Sequence, residues 1–191
     1  MNKIIFATNN AHKLEEVNAI SKDFGITFEL PPADFDPDET GNSFSENSFI
    51  KASEASKLSN NYALADDSGL CVESLGGLPG IHSARYAETR EKRIEKLLKE
   101  LAPHQNKAAK FVCCMTLTAP DGTIIKQITR ECLGQITEVQ KGANGFGYDP
   151  IFVPNNYNVT MAELNDNEKN KISHRGIALR EMLKFISTTN F

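Results

Sequence analysis

Apolar and polar segments alternate along the chain in a way that predicts successive strands and helices. Residues 3–7 form a short apolar run, and Leu14, Val17 and Ile20 then recur near helical spacing. Residues 26–30 are rich in β-branched and aromatic side chains and predict a second strand. The chain therefore starts as strand, helix and strand.

The next segment predicts a second helix and a short buried strand. The pattern S-x-x-E at residues 43–46 has the form of a capping box, so a helix is expected to start there and to run to about residue 59. Residues 62–65 form an apolar run that is expected to end as a strand at Asp66 and Asp67.

The middle of the chain predicts a charged helix followed by a hairpin. The helix is expected from about residue 88, on the spacing of its leucines. Residues 110–118 and 123–133 flank a turn at 119–122, which favours an antiparallel hairpin, and a third strand is expected at 135–139.

The last part of the chain predicts one more strand and a closing helix. Residues 151–153 are strand-like, and Leu179, Met182 and Leu183 mark an amphipathic helix. Strands that alternate with helices, followed by a hairpin, predict an α/β fold with a mixed sheet in a single domain over residues 1–191.

Composition and charge narrow the function classes. The chain has 191 residues, and 21 Lys and Arg against 25 Asp and Glu give a net charge of −4. This balance argues against non-specific nucleic-acid binding by bulk charge. The apolar run near the amino terminus is too short for a signal-peptide core or a membrane span, and the 4 cysteines contain no C-x-x-C pair. A cytoplasmic protein with reduced thiols is therefore expected, with no membrane partner.

Polar clusters are expected where strands end, which is where open α/β sheets bind ligands. Residues 8–13 join a strand to a helix whose unpaired N–H groups favour an anion, and Lys13 adds a positive charge. The alternative is a plain turn in which Asn10 caps the helix and Lys13 is solvated.

The acidic pair Asp66 and Asp67 is harder to explain as simple structure. Adjacent carboxylates repel each other unless a cation or hydrogen-bond donors lie nearby, and Mg²⁺ is the natural partner. Asp38 or Glu39 upstream is a candidate second ligand. The alternative is that one aspartate caps a turn and the other faces water.

Two later segments offer a stacking surface and hydrogen-bond donors. Residues 145–150 place two aromatic rings between glycines, which permits a base to stack, or else buries both rings in the core. His174 and Arg175 supply donors at the start of the last helix, or else they are exposed basic residues after a capping serine.

Six segments occur in an order that is specific when taken together. They are A-T-N-N at 7–10 with Lys13, E-T-G at 39–41 with Phe44, Glu46, Asn47, Lys51 and Ala52, A-D-D-S-G-L at 65–70, L-G-G-L-P-G at 75–80 with S-A-R-Y at 83–86, G-F-G-Y-D-P at 145–150, and Lys169 with S-H-R-G at 173–176. This set resembles the inosine triphosphate pyrophosphatase family, also called XTP/dITP diphosphatases.

The resemblance implies an activity, a fold and partners. The implied activity is Mg²⁺-dependent hydrolysis of the purine nucleoside triphosphates ITP, dITP and XTP to the monophosphate and pyrophosphate, which cleanses the nucleotide pool. The implied fold is an elongated mixed sheet flanked by helices in two lobes around a central cleft. A small-molecule purine nucleotide and a second copy of the chain in a homodimer are the implied partners, without nucleic acid.

The resemblance also implies roles for individual residues. It makes Asp67, Lys13 and Lys51 catalytic, and it makes Asp67 with Glu39 or Asp38 the metal ligands. The implied substrate-binding residues are Thr8, Asn9, Asn10, Ala11, His12, Lys13, Ser68, Phe146, Gly147, Tyr148, Asp149, Lys169, His174 and Arg175. Two other classes stay open, namely a non-catalytic purine nucleotide-binding module and a phosphatase of sugar phosphates.

Overall fold

The computed structural model describes residues 4–9 and 11–189, apart from the side chains of residues 11, 12 and 16. Within these residues the strands are β1 (Ile4–Phe6), β2 (Phe28–Glu29), β3 (Tyr62–Val72), β4 (Ala108–Thr118), β5 (Ile124–Ile136) and β6 (Phe152–Pro154). The α-helices are α1 (Ala11–Ser21), α2 (Phe44–Ser59), α3 (Arg90–Leu101), α4 (Asp166–Ile172) and α5 (His174–Thr188).

The strands form one open mixed sheet in the order β2-β1-β3-β4-β5-β6. Strand β1 runs parallel to both of its neighbours, so that Ile4 lies opposite Phe28 on one side and Tyr62 on the other. Strand β6 pairs antiparallel with β5, and helices α1 and α2 contact β2 and β1. The predicted α/β class, a mixed sheet flanked by helices, is confirmed.

Helix α2 begins at the expected place, but its cap differs from the predicted capping box. The Ser43 hydroxyl accepts a hydrogen bond from the Glu46 N–H at 3.2 Å, as expected. The Glu46 carboxylate instead accepts from the Asn42 N–H at 2.6 Å. One half of the box therefore forms, and the other half reaches one residue further back.

Strand β3 does not end at the acidic pair, as the sequence predicted, but continues through it to Val72. The residues beyond the pair explain the difference, because Leu70 and Val72 are fully buried at 0% exposure. Burial of these two side chains stabilises the extended backbone on the far side of Asp66 and Asp67. The pair consequently lies inside a strand.

The predicted strand at 135–139 is also wrong, because β5 absorbs its first residues. Gly134 lies between the two ranges predicted as separate strands, and a Cβ at this position would lie 2.3 Å from the Val153 carbonyl oxygen of the paired strand. The glycine permits the close approach of β6. Cys132 and Ile136 are buried on either side of it, with the alternation of a single continuous strand.

Contacts divide the chain into two compact units. The first unit contains the described residues of Met1–Asp67, Cys113–Arg130 and Arg175–Phe191, and the second contains Ser68–Val112 and Glu131–His174. Phe6, Leu64, Met115 and Leu183 are among the core residues of the first unit. Leu70, Leu97, Phe111 and Phe152 are among those of the second. Over the part of the chain that is described, no helix is both long and apolar enough to cross a bilayer.

Candidate functional site

The acidic pair in β3 places two carboxylates on opposite faces of one strand. Side chains alternate along a strand, so Asp66 and Asp67 point in different directions and meet different cations. Both residues are buried, with exposed fractions of 5% and 9%. A buried pair of this kind is stable only if each charge is compensated locally.

Asp66 is compensated by an arginine from the last helix. The Nε of Arg175, in the first turn of α5, donates to Asp66 Oδ2 at 3.0 Å, and both side chains are buried. Burial raises the pKa of Asp66, but the charges of Lys13, Arg175 and Lys51 outweigh burial and hold that pKa well below its usual range. Asp66 is therefore a stably ionised anchor for Arg175.

Asp67 is compensated differently, by a lysine that it shares with a second carboxylate. Lys51 Nζ donates to Asp67 Oδ1 at 3.1 Å and lies 2.9 Å from Glu39 Oε1. The other oxygen of Asp67, Oδ2, is buried and accepts no hydrogen bond from the described residues. Burial raises the pKa of Asp67 above its usual range despite the opposing charge of Lys51, and Glu39 and Asp66 add to the increase.

Lys51 stays charged because its acidic neighbours outweigh its burial. Burial lowers the pKa of this ammonium, whereas Asp67, Asp66 and Glu39 raise it, and the net effect is an increase. The side chain projects from α2 and is 12% exposed. Asp67, Lys51 and Glu39 therefore form one chain of alternating charges.

The loop before α2 brings Glu39, rather than Asp38, to this lysine. The Gly41 N–H donates to Asn47 Oδ1 at 2.8 Å, and a Cβ on Gly41 would lie 2.6 Å from the same oxygen. The glycine thus lets the loop pack tightly against the start of α2. Asp38 is exposed and takes part through its backbone, since its carbonyl accepts from the Thr40 N–H at 2.8 Å.

A cavity of about 250 Å³ lies beside this group within the first unit. Its lining includes the predicted residues Thr8, Asn9, Lys13, Glu39 and Lys51, together with Ala7, Phe35, Asp36, Pro37 and Asp66. Asn9 Nδ2 donates to the Phe35 carbonyl oxygen at 3.2 Å and so joins the β1–α1 connection to the loop that carries Glu39. Asn10 and the side chains of Ala11 and His12 fall outside the described residues.

The predicted nucleoside residues cluster within the second unit. Lys169 Nζ lies 2.7 Å from Asp149 Oδ2, and this oxygen also accepts from the Phe146 N–H at 2.7 Å. Lys169 sits 4.3 Å from the centre of the Phe146 ring, which is 47% exposed. A Cβ on Gly145 would lie 2.2 Å from the same carboxylate oxygen, and its φ of 71° favours glycine. The loop therefore exposes the Phe146 ring to solvent next to the buried ion pair of Lys169 and Asp149.

The second aromatic residue of this loop is part of the core. The Tyr148 ring is 3% exposed, and its hydroxyl donates to the Ser83 carbonyl oxygen at 3.1 Å. Burial raises the pKa of Tyr148 to about 12. Only Phe146 of the two rings is accessible to a ligand, and Tyr148 fixes the loop that carries it.

His174 and Ser68 belong to the second unit as well. The His174 ring stacks on Phe111 with centroids 4.9 Å apart and an interplanar angle of 8°, and it is 7% exposed. This stacking fixes the orientation of the imidazole. Ser68 is half-buried in β3, directly after Asp67.

Sequence reasoning missed two positioning residues. It singled out Asp66 only as a neighbour of Asp67, although the burial of two adjacent carboxylates itself calls for two cationic partners. It also gave no functional role to the charged helix α3, whereas Arg90 Nε at its start donates to the Gly147 carbonyl oxygen at 3.1 Å. No sequence signal distinguishes Arg90 from the other charges of that helix.

The comparisons with known proteins agree on one family. A model of the Ham1 family matches residues 4–185. The chain is 45% identical over 180 residues to a dITP/XTP pyrophosphatase of Nostoc sp., and the match covers 94% of this chain and 92% of that relative.

Solved structures show the same likeness. A HAM1 protein of Coxiella burnetii has a TM-score of 0.89 and 38% identity, with 99% of this chain and 100% of that chain covered. A nucleoside-triphosphatase, dITP/XTP pyrophosphatase, of Mycobacterium abscessus has a TM-score of 0.77 and 36% identity, with 96% and 99% covered.

Proposed function

Because the chain belongs to the Ham1 family, we propose that it hydrolyses ITP, dITP and XTP between the α and β phosphates and releases pyrophosphate. The similar proteins support the general class of this activity, which is hydrolysis of nucleoside triphosphates. The proposed reaction rests on the group formed by Asp67, Lys51 and Glu39. In this group the buried Oδ2 of Asp67 accepts no hydrogen bond from the described residues.

The donor set fits Mg²⁺. Mg²⁺ prefers carboxylate oxygens and is held by one or two of them together with substrate phosphates, rather than by a complete protein cage. Within residues 4–9 and 11–189, no three His, Cys, Asp or Glu side chains cluster into such a cage. Asp67 and Glu39 would hold the metal, whereas Asp38 points its side chain to solvent and is the weaker choice.

Phosphoryl transfer depends mostly on positioning and on neutralising charge. When bound, Mg²⁺ supplies part of the charge neutralisation and makes water easier to deprotonate. Lys13 and Lys51 bring two further positive charges to the cavity of the first unit, where the triphosphate would bind with Thr8 and Asn9. Asp67 would accept the proton from the attacking water, and its raised pKa makes it a stronger base than an ordinary aspartate.

The purine is selected through its 6-position in this proposal. Hypoxanthine and xanthine present an oxygen acceptor there, whereas adenine presents an amino donor that would face the donors of Arg175 and His174. Each buried donor left unpaired costs about 1–3 kcal/mol. The exposed Phe146 ring offers a stacking surface, and Lys169 and Asp149 hold its loop in place.

A non-catalytic nucleotide-binding module is the weaker alternative. Such a module has no need for a buried aspartate whose pKa is raised, because the ionised form of that group lowers the stability of the fold. A raised carboxylate pKa beside a cavity is typical of catalytic acids and bases.

A homodimer in the cytoplasm is part of the same proposal. The cysteines Cys71, Cys113, Cys114 and Cys132 are all free thiols, which suits a reducing compartment. Sedimentation analysis of the purified chain tests the dimer directly.

A product assay decides between the three classes. Incubation with ITP and Mg²⁺ should yield IMP and pyrophosphate without orthophosphate, and ATP should be hydrolysed much more slowly. A binding module would release nothing, and a sugar phosphatase would release orthophosphate from sugar phosphates instead.

The Asp67→Asn variant tests the role of Asp67 in the same assay. It should lose turnover because the proton acceptor is gone, while its affinity for ITP stays within about tenfold of the wild type. Turnover that survives in Asp67→Asn would refute the assignment of the base.

A further inference from the structure

One ammonium group satisfies two carboxylates in the first unit. Lys51 Nζ lies 2.9 Å from Glu39 Oε1 and 3.1 Å from Asp67 Oδ1. Lys51 and Asp67 side chains are each 12% exposed, so solvent screens this interaction only weakly. Lys51 thus neutralises the two residues that would otherwise hold a cation.

A divalent cation on Asp67 and Glu39 would be repelled by the ammonium of Lys51 in this position. Positive charges a few ångströms apart repel strongly where the surroundings are buried. Lys51 therefore weakens metal binding to these two carboxylates for as long as it stays paired with them. The buried Oδ2 of Asp67, which accepts no hydrogen bond from the described part of the chain, shows that the ammonium leaves this donor set incompletely satisfied.

Release of Lys51 is unfavourable unless a new anion is present. A buried ammonium that loses its partners carries an uncompensated charge, which is strongly destabilising. The cavity that Lys51 lines also contains Thr8, Asn9 and Lys13, where the triphosphate would bind. The nucleotide would supply the counter-charge that the two carboxylates give up.

We infer that Lys51 couples metal binding to nucleotide binding, since it holds Asp67 and Glu39 until a triphosphate offers it another anion. The metal alone then binds weakly, and the nucleotide strengthens metal binding by the same factor as the metal strengthens nucleotide binding. This coupling rests on the proposed function and adds that the metal and the nucleotide bind cooperatively.

The affinity of the protein for Mg²⁺ alone tests the inference. Titration calorimetry, with Mn²⁺ electron paramagnetic resonance as a second probe, should show Lys51→Met binding the metal at least about tenfold more tightly than the wild type. Lys57→Met is the matched control, because Lys57 is an exposed lysine of the same helix, and it should bind the metal as the wild type does.

The second measurement is metal affinity in the presence of α,β-methylene-ITP, which is not hydrolysed at this bond. The nucleotide should improve metal affinity by a clearly smaller factor in Lys51→Met than in the wild type. Lys51→Gln replaces Lys51→Met if the latter shows no cooperative unfolding transition, and the same outcomes are expected of it.

An unchanged or weaker Mg²⁺ affinity in the lysine variant overturns the inference, as does an equal coupling factor in both proteins. These readouts do not require turnover. A protein that releases no pyrophosphate from ITP would refute the proposed activity, and the binding results would still decide the role of Lys51.

Discussion

Two neighbouring aspartates in one strand have opposite electrostatic roles. Asp66 receives the Nε of Arg175 at 3.0 Å, and its pKa is held well below the usual range. Asp67 has one oxygen on Lys51 and one without a donor from the described residues, and its pKa is raised. The first charge stabilises the fold at neutral pH, whereas burial disfavours the second charge.

This contrast predicts different stabilities for two isosteric substitutions. Asp66→Asn should lower the free energy of unfolding at pH 7 by about 3–5 kcal/mol, because the buried Arg175 guanidinium loses its carboxylate. Asp67→Asn should lower that free energy by clearly less, because burial already disfavours the ionised Asp67 and the Lys51 ammonium keeps Glu39 as a partner. Urea unfolding of both variants and the wild type is the measurement.

The matched pair is its own control, since both changes replace a carboxylate with an amide in adjacent buried positions. Equal losses of stability in the two variants would contradict the assignment of separate roles. Activity loss alone does not test it, because both residues lie at the candidate site.

At the scale of elements, the loop at 145–150 illustrates how a core residue supports an exposed one. Arg90 of α3 holds the Gly147 carbonyl oxygen at 3.1 Å, and Tyr148 is hydrogen-bonded to Ser83 at 3.1 Å. These two hydrogen bonds support the loop that carries Phe146, whose side chain is 47% exposed.

The raised pKa of Tyr148 predicts a change of stability at high pH. Its folded-state pKa of about 12 exceeds the unfolded value near 10, so the folded state holds the proton more tightly. The resulting stabilisation is fully present below about pH 10 and is lost as pH rises through about 12. Over this pH window the free energy of unfolding of the wild type should therefore fall by about 1–2 kcal/mol more than that of Tyr148→Phe.

Urea unfolding at intervals from pH 8 to 12 checks this difference. The Tyr157→Phe variant, at an exposed position, should follow the wild-type profile. A constant difference between wild type and Tyr148→Phe across the window would argue against the buried hydroxyl as its source.

At the scale of the whole molecule, strands β3 and β4 each contribute residues to both cores. In β3, Leu64 belongs to the core of the first unit and Leu70 to that of the second. Strand β4 does the same with Met115 and Phe111. A substitution that destabilises either core should therefore also destabilise these strands.

This arrangement predicts a single unfolding transition. Leu97→Ala and Leu183→Ala, one in each core and both at 0% exposure, should each lower the free energy of unfolding by about 2–5 kcal/mol. Each variant should still unfold in one step, as judged by circular dichroism and by the urea dependence of thiol labelling at Cys113 and Cys132, which are buried in different cores.

Leu58→Ala provides the control, because Leu58 is 41% exposed and should change the free energy by less than about 0.5 kcal/mol. Labelling of the two cysteines at different urea concentrations would show that the units unfold separately.

The periodicity of apolar residues was sufficient to predict most elements, because most of the helices and strands bury a repeating apolar face. The hairpin turn and the starts of α2 and α5 lie close to the predicted places. The prediction failed where tertiary contacts reverse a local signal. Two aspartates suggested the end of a strand, and two separate strands were predicted on either side of Gly134, yet the aspartates and the glycine lie within continuous strands.

The order and residue types of the motifs were enough to predict the class of fold and the candidate residues, since these depend on local pattern. Only the tertiary structure decided that Glu39 rather than Asp38 meets Lys51, that Asp66 anchors Arg175, and that Tyr148 is buried while Phe146 is exposed. The physical reason is that burial and charge pairing depend on segments far apart in the chain, as with Asp66 and Arg175, and no local pattern encodes which of them meet.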